Sequence, residues 1–143
     1  MNVAGILKEK GGAVETAGPG TLLIDVVQTL SNLRIGALVI EGDDGAIAGI
    51  LSERDVVRAV AQHGANALHS TAAEFMTSPV VTCGTEETVS GLMAIMTENR
   101  FRHLPVVDDG KLAGIISIGD VVKKRIAEAE FEAEEMKRYI SSV

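Results

Sequence analysis

Two nine-residue stretches of this chain are near copies of one another: Gly49-Ile50-Leu51-Ser52-Glu53-Arg54-Asp55-Val56-Val57 and Gly114-Ile115-Ile116-Ser117-Ile118-Gly119-Asp120-Val121-Val122, 65 positions apart. Each reads as a small-residue turn, a short apolar strand, and a polar step into an apolar helix. One supersecondary unit has been used twice, so the fold must place two copies of the same strand-to-helix junction. The likeness extends on both sides. Glu15-Thr16 matches Val81-Thr82, and Leu23, Val26, Val27 and Leu30 match Val89, Leu92, Met93 and Met96, at an offset of 66. Ile35 to Ile40 then faces Arg102 to Val107 at 67, which gives repeat 1 one residue fewer ahead of that strand and two extra in the turn Glu41-Gly42-Asp43-Asp44-Gly45.

The pattern within one repeat is strand, helix, strand, hairpin turn, strand, helix. A lead-in helix over residues 3–9 is stopped by Gly11-Gly12. The strand Ala13–Thr16 follows, then a helix over Leu22–Leu33 with apolar residues every three to four positions, strands Gly36–Ile40 and Ala46–Leu51, and a helix Asp55–His63. A connector at Ala65–Thr71 leads to the second pass: strand Val80–Thr82, helix Thr88–Arg100, strands Leu104–Val107 and Leu112–Ser117, and a last helix from Ile118 to about Tyr139. Asp109-Gly110 between two apolar runs is a hairpin signal. The organisation is residues 1–64 as the first repeat with its lead-in, 72–127 as the second, and 128–143 as an extension of the final helix. The fold class is α/β (α+β).

A chain of 143 residues that is 46% hydrophobic can bury one good core, and two half-modules completing it together fit that size. A net charge of −7 argues against nucleic acid or an anionic membrane as partner, because counterion release needs a basic surface. The single Cys83 excludes an intrachain disulfide and a multi-cysteine metal site, and reads as a small buried apolar residue in a reducing compartment. The N-terminus does not read as a signal peptide, and no window approaches the ~20 apolar residues of a membrane span. A cytoplasmic protein is expected.

The last helix carries Val122, Ile126, Ala129, Ala133, Met136 and Ile140 at alternating spacings of four and three, an apolar seam between charged faces of mixed sign. Glu134 and Arg138, four apart, suit an ion pair. The seam either packs on its own module or on a second copy; the second is preferred, because the helix projects beyond the repeat that could cover it. A homodimer is expected, or a tetramer by a further pairing.

Ser52–Asp55 and Ser117–Asp120 suit helix capping, with serine accepting from a backbone N–H and an acid in the first turn of the helix. Their recurrence after the same strand adds a second reading, because N–H donors at a helix start point at one spot and an aspartate there suits the vicinal diol of a ribose. In Arg102-His103-Leu104-Pro105, the guanidinium matches a phosphate bidentately and the imidazole can add a donor; a histidine merely satisfied at a strand entrance is the competing reading.

The doubled Gly-Ile-Leu-Ser-Glu-Arg-Asp-Val-Val and Leu-Pro-Val-Val-Asp-Asp-Gly-Lys-Leu-Ala-Gly-Ile-Ile-Ser-Ile-Gly-Asp-Val-Val pattern resembles the cystathionine β-synthase (CBS) domain family, two of whose repeats form a Bateman module. The resemblance covers about residues 3–127. It implies a small mixed sheet and two helices per repeat, a pseudo-two-fold axis, and two clefts that take adenosine-containing ligands such as AMP, ATP, NAD(H) or S-adenosylmethionine. The family's ribose aspartate falls on Asp55 and Asp120, and the hydroxyl residue before it on Ser52 and Ser117. The adenine-flanking strand falls on Val14 and Thr16 in one repeat and on Met76, Thr77, Pro79 and Val81 in the other. The basic-His-x-Pro pattern falls on Arg102, His103, Leu104 and Pro105, with Gly36 and Leu38 at the matched positions of repeat 1, where Arg54 is a substitute cation. Phosphorylated ligands are accordingly expected to bind more tightly in the cleft of repeat 2.

The resulting function is a stand-alone regulatory module, with no catalytic cofactor, that binds an adenine nucleotide and signals to an unidentified protein partner. The sequence carries no Walker loop, metal-ligand spacing or nucleophile elbow. The alternatives are a structural dimerisation protein with empty clefts, and a nucleotide-processing enzyme using Asp120 and His103 as acid and base.

Overall fold

In the computed structural model, which describes residues 1–142, the chain runs α1 (Val3–Lys10), β1 (Thr16–Ala17), α2 (Leu23–Leu33), β2 (Ala37–Glu41), β3 (Ile47–Ser52) and α3 (Glu53–His63). The connector is not extended but folds into a 3₁₀ turn over Gly64–His69 and a short α4 (Ala72–Phe75); α5 (Val89–Asn99), β4 (His103–Asp108), β5 (Lys111–Ser117) and α6 (Ile118–Ser141) complete the second pass. The architecture is the expected mixed α/β pair of repeats with a long C-terminal helix.

Repeat 1 holds a three-stranded mixed sheet, β1 parallel to β2 and β2 antiparallel to β3. Repeat 2 holds the antiparallel pair β4–β5. Its expected third strand at Val80–Thr82 shrinks to one parallel bridge between Cys83 and Val106, made by Cys83 N–H to the Pro105 carbonyl at 3.0 Å and Val107 N–H to the Cys83 carbonyl at 2.9 Å. Pro79 and Gly84 bracket that stretch and leave little chain suited to a ladder.

The ladders correct the register inferred for the two repeats. Ala37 pairs with Ser52 and Leu38 with Leu51, while His103 pairs with Ser117 and Leu104 with Ile116. Since Ser52 and Ser117 are equivalent, Gly36 corresponds to Arg102, Ala37 to His103, Leu38 to Leu104 and Val39 to Pro105. Two backbone bonds agree: Glu53 N–H reaches the Gly36 carbonyl at 3.0 Å, and Ile118 N–H reaches the Arg102 carbonyl at 2.8 Å. Repeat 1 therefore lacks no residue before β2, and it carries one extra residue in its hairpin turn, not two.

The helices that precede the repeats are exchanged. α1 leads into repeat 1, yet Val3 and Ile6 are buried in the core of repeat 2 with Leu92, Leu104 and Val121. α4 leads into repeat 2, yet Ala72, with Phe75 and Met76 beside it, packs in the core of repeat 1 with Leu23, Leu38 and Leu51. Val3 N–H bonds the Glu87 carbonyl at 2.9 Å, and Ala72 N–H bonds the Thr21 carbonyl at 2.7 Å, the same junction made twice. The sheets leave room for the crossing at two glycines: a Cβ on Gly114 would stand 2.5 Å from Leu7 Cδ2, and one on Gly49 would stand 2.5 Å from Met76 Sδ. Burying apolar side chains of each lead-in under the other repeat welds the halves together at about 25 cal/mol for each Å² removed from water.

Along α6 only Val121 is buried. The seam residues Val122, Ile126, Met136 and Ile140 stand exposed, Ile126 at 54% and Met136 at 66%, so the chain's own module does not cover them. The expected Glu134–Arg138 pair is replaced by pairs three apart, Arg138 with Glu135 at 3.1 Å and Lys137 with Glu134 at 4.0 Å. No helix among the described residues is long and apolar enough to cross a membrane.

Candidate functional site

Each strand-to-helix junction is a closed capping box. In repeat 1, Asp55 N–H donates to Ser52 Oγ at 3.3 Å, while Ser52 N–H and Oγ–H both donate to Asp55 Oδ2, at 2.9 and 3.1 Å. In repeat 2, Asp120 N–H donates to Ser117 Oγ at 3.2 Å and Ser117 returns bonds of 2.9 and 3.0 Å to Asp120 Oδ2. The serine and aspartate thus lock one another's rotamers at the start of α3 and of α6, and hold each carboxylate at a helix N-terminus where the dipole favours its charge.

The two carboxylates differ in what the exchanged lead-in brings to them. At Asp55 it is the Thr77 hydroxyl, donating to Oδ1 at 3.2 Å, with Arg58 Nη1 at 3.8 Å. At Asp120 it is the Lys10 ammonium, at 2.7 Å from Oδ2 and also donating to the Ile115 carbonyl at 2.9 Å. α1 runs to Lys10, whereas α4 stops at Phe75, and the longer helix carries a lysine to the place that extended chain occupies in the other repeat. Burial pushes the Asp120 pKa up, but the Lys10 ammonium and the two bonds from Ser117 outweigh it and hold the carboxyl below its usual 3.8.

Two clefts flank the pseudo-axis, and each is built from both repeats. The first, of about 600 Å³, joins Ser52, Asp55 and Thr77 to the α5–β4 connection, Asn99 to His103. The second, of about 590 Å³, joins Ser117, Ile115 and Lys10 to the corresponding α2–β2 connection, Leu33 to Ala37, with Val14 and Glu15 on its wall. Gly36 and His103 border both. A Cβ on Gly36 would fall 2.8 Å from His103 Nε2, so the imidazole rests where that side chain is missing. Burial lowers the His103 pKa below 6.5; Glu53 and Asp120 push it up, and Lys10 and Arg102 push it down. The lowered pKa favours the neutral ring, which donates from one nitrogen and accepts at the other.

The structure groups the singled-out residues across the repeats. Arg102 joins Asp55, Ser52, Arg54 and Thr77 in the first cleft, and not Asp120 as the repeat-by-repeat assignment had it. Val14 joins Ser117 in the second. Leu38, Leu104 and Pro105 are buried in their strands, Leu38 at 1% and Leu104 at 0% exposure, and border neither cleft. Thr16 sits in β1, Met76 against Gly49, and Pro79 and Val81 on the exposed connection, all outside the two linings. Sequence reasoning missed Lys10, Arg34, Arg58 and Arg100. Arg34 and Arg100 did leave a trace, since they match at the same offset of 66.

Cys83 is buried at 6% exposure, and burial, helped by the Glu87 carboxylate, pushes its thiol up to about 11. It is a protonated core side chain. No group of three or more His, Cys, Asp or Glu suited to a metal occurs among the described residues.

A family model for the CBS domain matches residues 13–62 and again 72–127. Among curated proteins, the mitochondrial CBS domain-containing protein CBSX3 of Arabidopsis thaliana is 31% identical over 96% of this chain and 71% of its own length. Among solved structures, the CBS-domain protein ATU1752 from Agrobacterium tumefaciens is 48% identical with a TM-score of 0.84, covering 87% of this chain and 92% of that one. Two others are ligand complexes: the CBS domain pair of protein MJ0100 in complex with 5′-methylthioadenosine and S-adenosyl-L-methionine (26% identity, TM-score 0.79, 90% and 98% coverage) and the CBS domain protein PAE2072 from Pyrobaculum aerophilum complexed with AMP (26%, 0.71, 84% and 89%). With two matched repeats, the exchanged lead-ins and the paired clefts, the chain belongs to the CBS domain family.

Proposed function

We propose that this chain is a regulatory module that binds an adenosine-containing ligand in the Asp55 cleft and passes its occupancy to a partner protein. The carrying observation is the meeting, in one cleft of about 600 Å³, of the Ser52-braced Asp55 carboxylate with Arg102 and His103 from the other repeat. The volume suits a small organic ligand. The Asp55 carboxylate, on releasing the Thr77 hydroxyl from Oδ1, accepts the two ribose hydroxyls there, Arg102 grips phosphate in bidentate fashion, and His103 adds one hydrogen bond. Two CBS relatives complexed with AMP or with S-adenosyl-L-methionine and 5′-methylthioadenosine support the adenosyl class. A ligand held by α3 of one repeat and by the α5–β4 connection of the other fixes their relative position, which is how occupancy would become a signal.

The exposed α6 seam is read here as the contact with a second copy, giving a homodimer. The compartment is read as cytoplasmic, from a lone cysteine kept as a buried thiol.

Thermal melting with AMP, ADP, ATP, NADH and S-adenosylmethionine tests the function, with GTP as control. A ligand at about 100 times its Kd stabilises by about 2.7 kcal/mol, which for a chain of this size is a rise of roughly 5–10 °C. At least one adenine compound is expected to give that rise and GTP a smaller one; no rise with any of them overturns the reading.

A further inference from the structure

We infer that α6 meets a second copy of the chain in a parallel, in-register two-stranded coiled coil, its direction set by pairs of Arg125 with Glu130 and of Glu132 with Lys137 between the copies. This rests on the second-copy reading of the seam above and adds its orientation and the charges that fix it.

Beyond its first turn, α6 rests on its own module through Val121, Lys124 and Glu128. With 3.6 residues to a turn, the centre of the apolar seam lies roughly 125° around the helix from that face. Val122, Ile126, Ala129, Ala133, Met136 and Ile140 are all exposed, and from Ala129 to Ser142 every position is exposed. The outer half of the helix is therefore bare on all sides. Two alanines at the middle of the seam let the helices approach closely, which brings the flanking charges within reach of one another.

The flanks decide the direction. The alternating seam positions are d and a of a heptad, which puts Lys123, Glu130 and Lys137 at e, and Arg125 and Glu132 at g. In a parallel pair each g meets the e five residues further on in the other copy, so Arg125 meets Glu130 and Glu132 meets Lys137. Both contacts are of opposite sign, and the two-fold axis makes each of them twice. In a reversed pair the apolar layers still match, Val122 on Ile140, Ile126 on Met136 and Ala129 on Ala133. There e meets e and g meets g, so Glu130 faces Glu130, Glu132 faces Glu132 and Lys123 faces Lys137. Each of those charged contacts is of like sign. The apolar layers accept either direction, and the charges reject one of them. The cations can turn to the other copy, because Arg125 lies 3.5 Å from Glu128 and Lys137 4.0 Å from Glu134, exposed contacts along one helix that contribute little. Among the described residues Glu130 and Glu132 hold no ion pair.

Light scattering and oxidation in a glutathione buffer test this on the full chain, on Ile140→Cys and on Glu130→Cys. Ile140→Cys is expected to give a disulfide-linked dimer, since a seam position meets itself across a parallel pair, and Glu130→Cys none, since the two e positions stand on opposite sides of it. The wild type, with its one thiol buried, is the control. Arg125→Glu is expected to weaken the dimer about tenfold, and Arg125→Glu with Glu130→Arg to restore it. A disulfide in Glu130→Cys, alone or alongside Ile140→Cys, or no restoration by the second charge change, overturns the parallel direction while leaving the second-copy contact intact. A monomeric wild type, or a dimer that links in neither variant, overturns both.

Discussion

His103 Nε2 lies 2.8 Å from the point where a Cβ on Gly36 would stand, so one repeat's missing side chain is the seat of the other repeat's imidazole. Both residues border both clefts, and this contact is the place where the two sites touch.

Gly36→Ala should therefore displace the imidazole. Overpacking at this tight contact is expected to cost about 1 kcal/mol, or roughly 2–4 °C in the melting midpoint. Because the obstruction is the His103 ring itself, the double variant Gly36→Ala with His103→Ala should lose less than the sum of the single losses. Additive losses in a double-mutant cycle would show that the two side chains do not share the space.

The Lys10–Asp120 pair fixes a pH dependence. With its pKa held below 3.8 in the folded chain, Asp120 contributes stability that is present above the unfolded value and is lost as pH falls through the folded one. Lys10→Met removes the ammonium, so the carboxyl pKa should rise and the loss should begin at higher pH. A carboxyl-carbon NMR titration of Asp120 in both proteins reads this directly. Identical titrations would mean that Lys10 does not hold the carboxylate in solution.

Charging the α6 seam tests the second-copy contact. Ile126→Lys with Met136→Glu should convert a dimer into monomers by light scattering with the melting midpoint little changed, since both side chains stand exposed on the single chain. An unchanged mass would place the dimer contact elsewhere, and a monomeric wild type would remove it altogether.

Cys83 should resist a thiol reagent at pH 8 in the native protein and react at once in denaturant, because its thiol is both buried and raised to about 11. Native labelling within minutes would mean that the Cys83–Val106 bridge opens readily.

The doubled Ser52–Asp55 and Ser117–Asp120 junctions made the repeat, the fold class and both carboxylates legible in the sequence, because a capping box is a local device whose spacing is fixed by one helical turn. The sequence match of β2 to β4 slipped by one residue for a physical reason: Ala37, Leu38, Val39 and Ile40 are all buried, so no polar alternation marks which residue faces where. The exchange of α1 and α4 was not legible, since either lead-in has apolar residues that fit either core and only tertiary packing decides between them. That exchange, with the crossing of the α5–β4 connection to Asp55, explains why Arg102 was assigned to the wrong carboxylate and why Lys10 went unnoticed. The first strand of repeat 2 was overread because Val80-Val81-Thr82 has strand composition, yet between Pro79 and Gly84 only Cys83 pairs with the β4 edge.

Calorimetric titration of AMP and ADP into wild type, Asp55→Asn and Asp120→Asn tests whether the ligand's ribose sits on Asp55. An amide replaces one carboxylate oxygen with an NH2 donor, so it cannot keep both the Ser52 bonds at one oxygen and the diol bonds at the other, and Asp55→Asn is expected to lose about ten- to a hundredfold in affinity, the equivalent of about 1.5–3 kcal/mol, while remaining folded. Asp120→Asn should change that affinity far less, its carboxylate being held by Lys10 outside the Asp55 cleft. Equal affinities in wild type and a folded Asp55→Asn, or a loss confined to Asp120→Asn, would contradict the account.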